Sequence, residues 1–215
     1  MKNIVIFGDS YSTHRNIIPE GYKAFYCEGG REEGPAVTDM KMEDTWWYKV
    51  VSHFGANVVR NDSWSGSTIG YTGYDNVDCS KTSSFIYRYR KLKSEGFFDK
   101  NELDTVIVFG GTNDYWCGAP LGEMKTCDIE EKDLYSVLPA ICHFAKTLKT
   151  DLPHLEIIFI INTELRDEIP NCIETVSQLH GFKCIRLENI TKESGHPTRE
   201  GMIEISEQVI KALEQ

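Results

Sequence analysis

A chain of 215 residues, 40% hydrophobic and 26% charged, suits one α/β domain (1–215) with a full hydrophobic core. The formal charge of −10 and the pI near 5.1 argue against a nucleic-acid binder, which needs a basic face to replace phosphate counterions. They argue equally against electrostatic attachment to anionic membranes, and no apolar run is long enough to span a bilayer. The strand-like run from Asn3 follows Met1 so closely that no signal peptide fits, so a cytoplasmic protein is expected. Seven cysteines without a C-x-x-C pair point to free thiols, with neither a disulfide framework nor a zinc ribbon.

In chain order, strands are predicted at Asn3–Phe7, Asn57–Asn61, Thr105–Phe109, Glu156–Ile161 and Lys183–Leu187. Four of these are rich in Val, Ile or Phe, as buried parallel strands are, and the second is the weakest. Trp46, Trp47, Val50, Val51 and Phe54 predict a helix before the second strand. Leu134, Val137, Leu138, Ile141, Ala145 and Leu148 predict another, which Pro139 must kink or delay. Met202, Ile205, Val209 and Leu213 close the chain with a third. Strands alternating with helices imply a parallel sheet covered on both faces, whose ligands bind beyond the carboxyl ends of the strands.

The loops at those ends carry unusual chemistry. Gly8-Asp9-Ser10-Tyr11 follows strand one, and Ser10 falls where a first helical turn offers unpaired N–H groups. That suits a nucleophile that needs oxyanion donors beside it, although Asp9 and Ser10 also read as a helix cap. Gly66, in the loop after strand two, can present an N–H that no side chain blocks, or can simply form a turn. Asn113, in Gly110-Gly111-Thr112-Asn113-Asp114 after strand three, offers a neutral donor for a developing oxyanion, or an Asx-turn. In Glu193-Ser194-Gly195-His196-Pro197, His196 can serve as general base, with Glu193 folding back to accept its Nδ1–H. The four loops together supply nucleophile, oxyanion donors, base and orienter, the set needed for acyl transfer.

These blocks resemble the SGNH (GDSL-type) hydrolase superfamily. Gly8-Asp9-Ser10-Tyr11 resembles its first block, with Tyr11 in place of Leu. Gly66 matches the second block, Gly111-Thr112-Asn113-Asp114 the third, and Glu193-Ser194-Gly195-His196 the last, with Glu for Asp. The resemblance implies a flavodoxin-like three-layer α/β/α sandwich with a five-stranded parallel sheet. It implies Ser10 as nucleophile and His196 as base. It places the oxyanion hole at the N–H groups of Ser10 and Gly66 and at Asn113 Nδ2, with Glu193 as triad acid. The activity implied is a serine esterase, acting through an acyl-enzyme on a short-chain ester such as an acetylated carbohydrate, with no metal and no cofactor.

Asp9, Tyr11, Tyr115 and Trp116 are the candidates for touching substrate, the last two either by stacking on it or by sealing their loop onto the core. The poorly periodic stretch at about 12–45 reads as an insertion or lid. His14 can line the cleft but fits a loop surface better, and His53, His143, His154 and His180 read as structural. A flavodoxin-like binding module would leave the Glu193/His196 pair unexplained. A degenerate hydrolase would keep the fold without an activated serine. A metal-dependent phosphoesterase is disfavoured by the lack of D-x-H and H-x-H pairs.

Overall fold

Runs of Val, Ile and Phe without charged interruption form strands because β-branched and aromatic side chains pack well on a pleated surface. The computed structural model describes Met1–Gln215, and its sheet contains β1 (Asn3–Gly8), β2 (Asn57–Asn61), β3 (Thr105–Phe109), β4 (Glu156–Ile161) and β5 (Lys183–Arg186). All pairings are parallel and the order is β2-β1-β3-β4-β5. β2 lies at an edge and alternates between exposed and half-buried residues, which is why its sequence pattern is the weakest.

Seven helices connect and cover the strands: α1 (Trp46–Phe54), α2 (Phe85–Ser94), α3 (Phe97–Lys100), α4 (Thr112–Trp116), α5 (Val137–Asp151), α6 (Glu168–His180) and α7 (Arg199–Leu213). Pro139 is the third residue of α5, where its missing N–H costs no hydrogen bond, so the helix begins late and is not kinked there. Leu134 belongs to a separate 3₁₀ turn, Glu131–Tyr135.

Alternate strand residues face opposite sides of the sheet and build two cores. Val5, Phe7, Val106, Val108 and Phe159 join α2, α5 and α6. Ile4, Ile6, Ile107, Phe109 and Ile158 join α1 and α7. The result is three layers, α/β/α. No helix is long and apolar enough to cross a membrane.

Two features position the site. β1 continues to β2 on one side, while β3 continues to β4 on the other, so a crevice opens where Gly8 pairs with Phe109. Gly8 is required there, because a Cβ would come within 2.5 Å of Ser63 Oγ and 2.6 Å of Ser12 Cβ. The second feature is the 12–45 stretch, whose regular structure is limited to 3₁₀ turns at Ala36–Thr38 and Met42–Asp44 past the Ser10 turn. It is tied down by Phe25, Tyr26, Val37 and Met40, which are buried in the second core. His14 corrects its expected loop-surface position: it is fully buried, and its Nε2 meets the Met40 carbonyl at 3.0 Å. It braces the stretch and does not line the cleft.

Candidate active site

Ser10 opens a single 3₁₀ turn, Ser10–Ser12, capped by Asp9, whose Oδ1 accepts the Tyr11 N–H at 3.0 Å. The capping and nucleophile readings are therefore compatible. At the first turn the Ser10 N–H has no intrahelical acceptor, which leaves it available to a ligand.

Asp9 and Tyr11 correct their expected roles in touching substrate. Both are fully buried and present no surface to a ligand. Burial pushes the Asp9 carboxyl up to about 7 despite the Tyr11 N–H, and its Oδ2 has no partner. The Tyr11 ring packs edge-on against Phe109, and its hydroxyl donates to the Gly195 carbonyl. Tyr11 thereby fastens the turn carrying Ser10 to the loop carrying His196.

His196 lies in a small hairpin of β6 (Lys192–Glu193) and β7 (His196–Pro197). Ser194 and Gly195, with φ of 50° and 77°, form its two-residue turn, and paired left-handed residues are the favoured hairpin geometry. His196 Nε2 lies 3.0 Å from Ser10 Oγ. Its Nδ1 lies 3.2 Å from the Ser194 carbonyl oxygen. That carbonyl accepts the Nδ1–H and leaves Nε2 free to take the serine proton.

This corrects the expected Glu193 contact. Glu193 pairs with His196 across the hairpin, but its side chain is exposed and forms no hydrogen bond to the imidazole, whose Nδ1 is met by the turn's own backbone. The ring is held instead by packing. Phe25 stacks on it at 3.6 Å with an interplanar angle of 7°, and Tyr26 Oη donates to the Pro197 carbonyl at 2.9 Å. Burial pushes the imidazole pKa below its ordinary value, and the nearby cations Arg31 and Lys192 act in the same direction, against the Ser194 carbonyl. The imidazole is therefore mostly neutral at neutral pH.

Asn113 is buried in the first turn of α4. Its Nδ2 donates to the Ser67 carbonyl at 3.0 Å, and its Oδ1 accepts from Tyr74 Oη at 2.8 Å. These bonds orient the amide and bring Asn113 beside the Gly66 loop, with one N–H still free. Gly66 has φ of 83°, a Cβ there would meet nothing within 4 Å, and its N–H has no backbone acceptor. The two expected oxyanion donors are thus adjacent.

Buried charge locks the loops together. Arg88 of α2 is buried; it pairs with Asp62 at 3.2 Å and donates to Gly8 O at 3.2 Å and Ser67 Oγ at 3.1 Å. Asp114 accepts from the N–H groups of Ile69, at 3.0 and 3.1 Å, and Gly70, at 3.2 Å, while burial pushes its carboxyl up to about 6. Sequence reasoning missed Arg88, Tyr74 and Phe25. Arg88 sits among the basic residues of Arg88-Tyr89-Arg90-Lys91, where nothing marks it as the buried one.

Tyr115 and Trp116 are 42% and 40% exposed, so they do not seal their loop onto the core. Trp116 borders His196 at 5.5 Å between ring centroids. No group of three or more His, Cys, Asp or Glu residues is arranged to hold a metal ion.

Neutralising Glu193 tests the base assignment. Glu193→Gln is expected to keep turnover within about threefold, against the roughly 10⁴-fold loss on neutralising a triad carboxylate. The rise of kcat/KM with pH follows deprotonation of His196 and is expected below the ordinary imidazole value of about 6.5, unshifted in the variant. A pH profile that moves to lower pH in Glu193→Gln would restore Glu193 as the orienter.

A serine hydroxyl in contact with a buried imidazole, at the switch point of a parallel α/β sheet, is an arrangement that serine hydrolases use. The GDSL-like lipase/acylhydrolase family model matches residues 2–213. A protein from Bacteroides uniformis ATCC 8492, assigned as a GDSL-like lipase, is 37% identical, with a TM-score of 0.89 over 100% of this chain and 96% of its own. A counterpart from Bacteroides ovatus ATCC 8483 is 34% identical, with a TM-score of 0.87 over 100% and 98%. The native aryl esterase of M. smegmatis shares the fold at 13% identity, with a TM-score of 0.57 over 100% and 99%. Among curated protein sequences none matches. The chain belongs to the GDSL-like lipase/acylhydrolase family and is a carboxylic ester hydrolase.

Proposed function

We propose that this protein is a serine esterase that cleaves short-chain carboxylic esters through an acyl-enzyme, with Ser10 as nucleophile and His196 as base. The observation that carries the proposal is the 3.0 Å contact between His196 Nε2 and Ser10 Oγ, made by an imidazole that burial keeps neutral. Ser10 Oγ attacks the ester carbonyl while its proton passes to Nε2. The carbonyl oxygen becomes an oxyanion, which the N–H groups of Ser10, Gly66 and Asn113 stabilise as charge develops. Collapse breaks the ester bond, and the Nε2 proton leaves with the alcohol. Water, deprotonated by the same imidazole, then attacks the acyl-enzyme and releases the acid and free Ser10.

His196 has no carboxylate behind it in this scheme. The Ser194 carbonyl holds the tautomer, and stacking on Phe25 holds the plane. The imidazolium formed during attack is stabilised by the carbonyl dipole alone, which is weaker than an ion pair.

Short acyl groups, acetyl above all, are the proposed acyl part, because no long apolar run is available to line a deep acyl tunnel. Tyr74, Tyr115 and Trp116 are partly exposed on the Asn113 side and present polar-edged aromatic surface, of the kind that suits a sugar ring. Acetylated carbohydrates are therefore the leading natural substrates. A p-nitrophenyl series from acetyl to octanoyl tests this. The expected result is a maximum at acetyl to butyryl. A deep apolar pocket would gain about 0.8 kcal/mol, roughly fourfold, per added methylene, so a steady rise to octanoyl would overturn the short-acyl reading.

A further inference from the structure

The chain has eight arginines, and six of them form ion pairs: Arg60, Arg88, Arg90, Arg166, Arg186 and Arg199. The two that form none, Arg15 and Arg31, line one cavity together with Lys23, which also lacks an acidic partner. In a protein of net charge −10, this wall carries three cations against one carboxylate, Glu20.

The cavity holds about 740 Å³ and adjoins the segments that carry Gly66 and Phe25. Ser65 on its wall precedes Gly66, and Ala24 precedes Phe25, the ring stacked on His196. The Arg31 guanidinium lies 5.2 Å from the centre of that same Phe25 ring. The positive charge is thus held within one aromatic ring of the general base. A cation here also helps to keep His196 unprotonated.

We propose that this cavity receives an anionic group, preferentially a carboxylate, on the alcohol part of the ester. The assignment rests on the short-acyl esterase reading above: an acetyl group leaves nothing on the acyl side to fill such a volume, so the alcohol part extends into it. Guanidinium groups present paired N–H donors that match the two oxygens of a carboxylate, and two free guanidinium groups with an ammonium can orient it. The substrate class is then an acylated hydroxy acid, with an acetylated acidic sugar as the carbohydrate form. The product is the free hydroxy acid, and the reaction that supplies the substrate is an O-acyl transfer to that acid.

The test compares 4-acetoxybenzoate with its methyl ester, each rate normalised to the ester's own hydroxide-catalysed hydrolysis. The wild type is expected to prefer the charged ester by at least about tenfold in kcat/KM, equivalent to 1.4 kcal/mol, and to lose the preference progressively with added salt. Arg15→Gln and Arg31→Gln should each reduce the charged-to-neutral ratio several-fold, and the double variant should remove it. These side chains are exposed, so the variants retain the fold. Arg186→Gln, which changes net charge on strand β5, should leave the ratio intact.

Equal or better turnover of the neutral ester by the wild type overturns the proposal, as does a ratio that survives in the double variant or falls equally in Arg186→Gln. The esterase reading is judged separately, by turnover of the neutral ester alone. Calorimetric binding of 4-hydroxybenzoate to Ser10→Ala reads the cavity without catalysis. Binding that is lost with Arg15 and Arg31 supports the proposal even if no ester is turned over, and no binding to Ser10→Ala overturns it.

Discussion

Ser10→Ala is expected to reduce ester hydrolysis by about 10⁶-fold and to abolish labelling by a fluorophosphonate, because removing the attacking oxygen leaves only the oxyanion donors and binding. His196→Ala should fall to nearly the same level, since the serine hydroxyl then has no base at the 3.0 Å contact seen here. The double variant should be no worse than either single one, because two residues that act as one unit lose their effect together. Melting temperatures should remain close to wild type. Ser10 is buried but small, and His196 retains its hairpin backbone when truncated. Labelling that persists in Ser10→Ala, on another serine, would overturn the assignment.

The second large effect is expected at Asn113. Asn113→Ala should lower kcat by about 10²–10³ with little change in KM, because the donated bond strengthens only as the oxyanion forms. The amide is pre-aimed: the Ser67 carbonyl and the Tyr74 hydroxyl occupy one Nδ2 proton and Oδ1. Tyr74→Phe should therefore cause a smaller loss of the same kind, in kcat and not in KM. A KM effect at Asn113 with kcat intact would make it a ground-state binding residue instead. Neither result depends on the ester's alcohol, so both can be read with p-nitrophenyl acetate.

Arg88 explains why the parts meet so closely. Its guanidinium, fully buried, joins the end of β1 to the loop after β2 through Gly8, Ser67 and Asp62. Removing one member of a buried charge pair strands the other, at a cost of about 3–5 kcal/mol. Losses at Arg88 would thus appear as instability of the whole site.

Much of this protein is written in local sequence. The strands are legible because their residues are apolar in every second or every successive position, a pattern that only burial in a covered sheet rewards. Their observed limits differ from the expected ones by one residue at the carboxyl ends of β1 and β5. Ser10, Gly66, Asn113 and His196 are legible because each stands in a loop just beyond a strand or just before a helix, and loop chemistry is set by neighbours along the chain. Contacts between distant segments were not legible. Phe25 stacks on His196 across 171 positions, Tyr11 reaches Gly195 across 184, and Arg88 reaches Gly8 across 80. No local rule marks these residues, because their partners are chosen by how the sheet and the 12–45 stretch pack. The same reason explains Glu193. Spacing to His196 suggested a side-chain contact, but the left-handed Ser194-Gly195 turn points a backbone carbonyl at Nδ1 instead. The sequence by itself determined the α/β/α layering and singled out Ser10, Gly66, Asn113 and His196 as the candidate reacting groups. Only the tertiary structure decided what orients the His196 ring, what aims the Asn113 amide, and which arginines remain unpaired near them, since each of these depends on segments that meet only on folding.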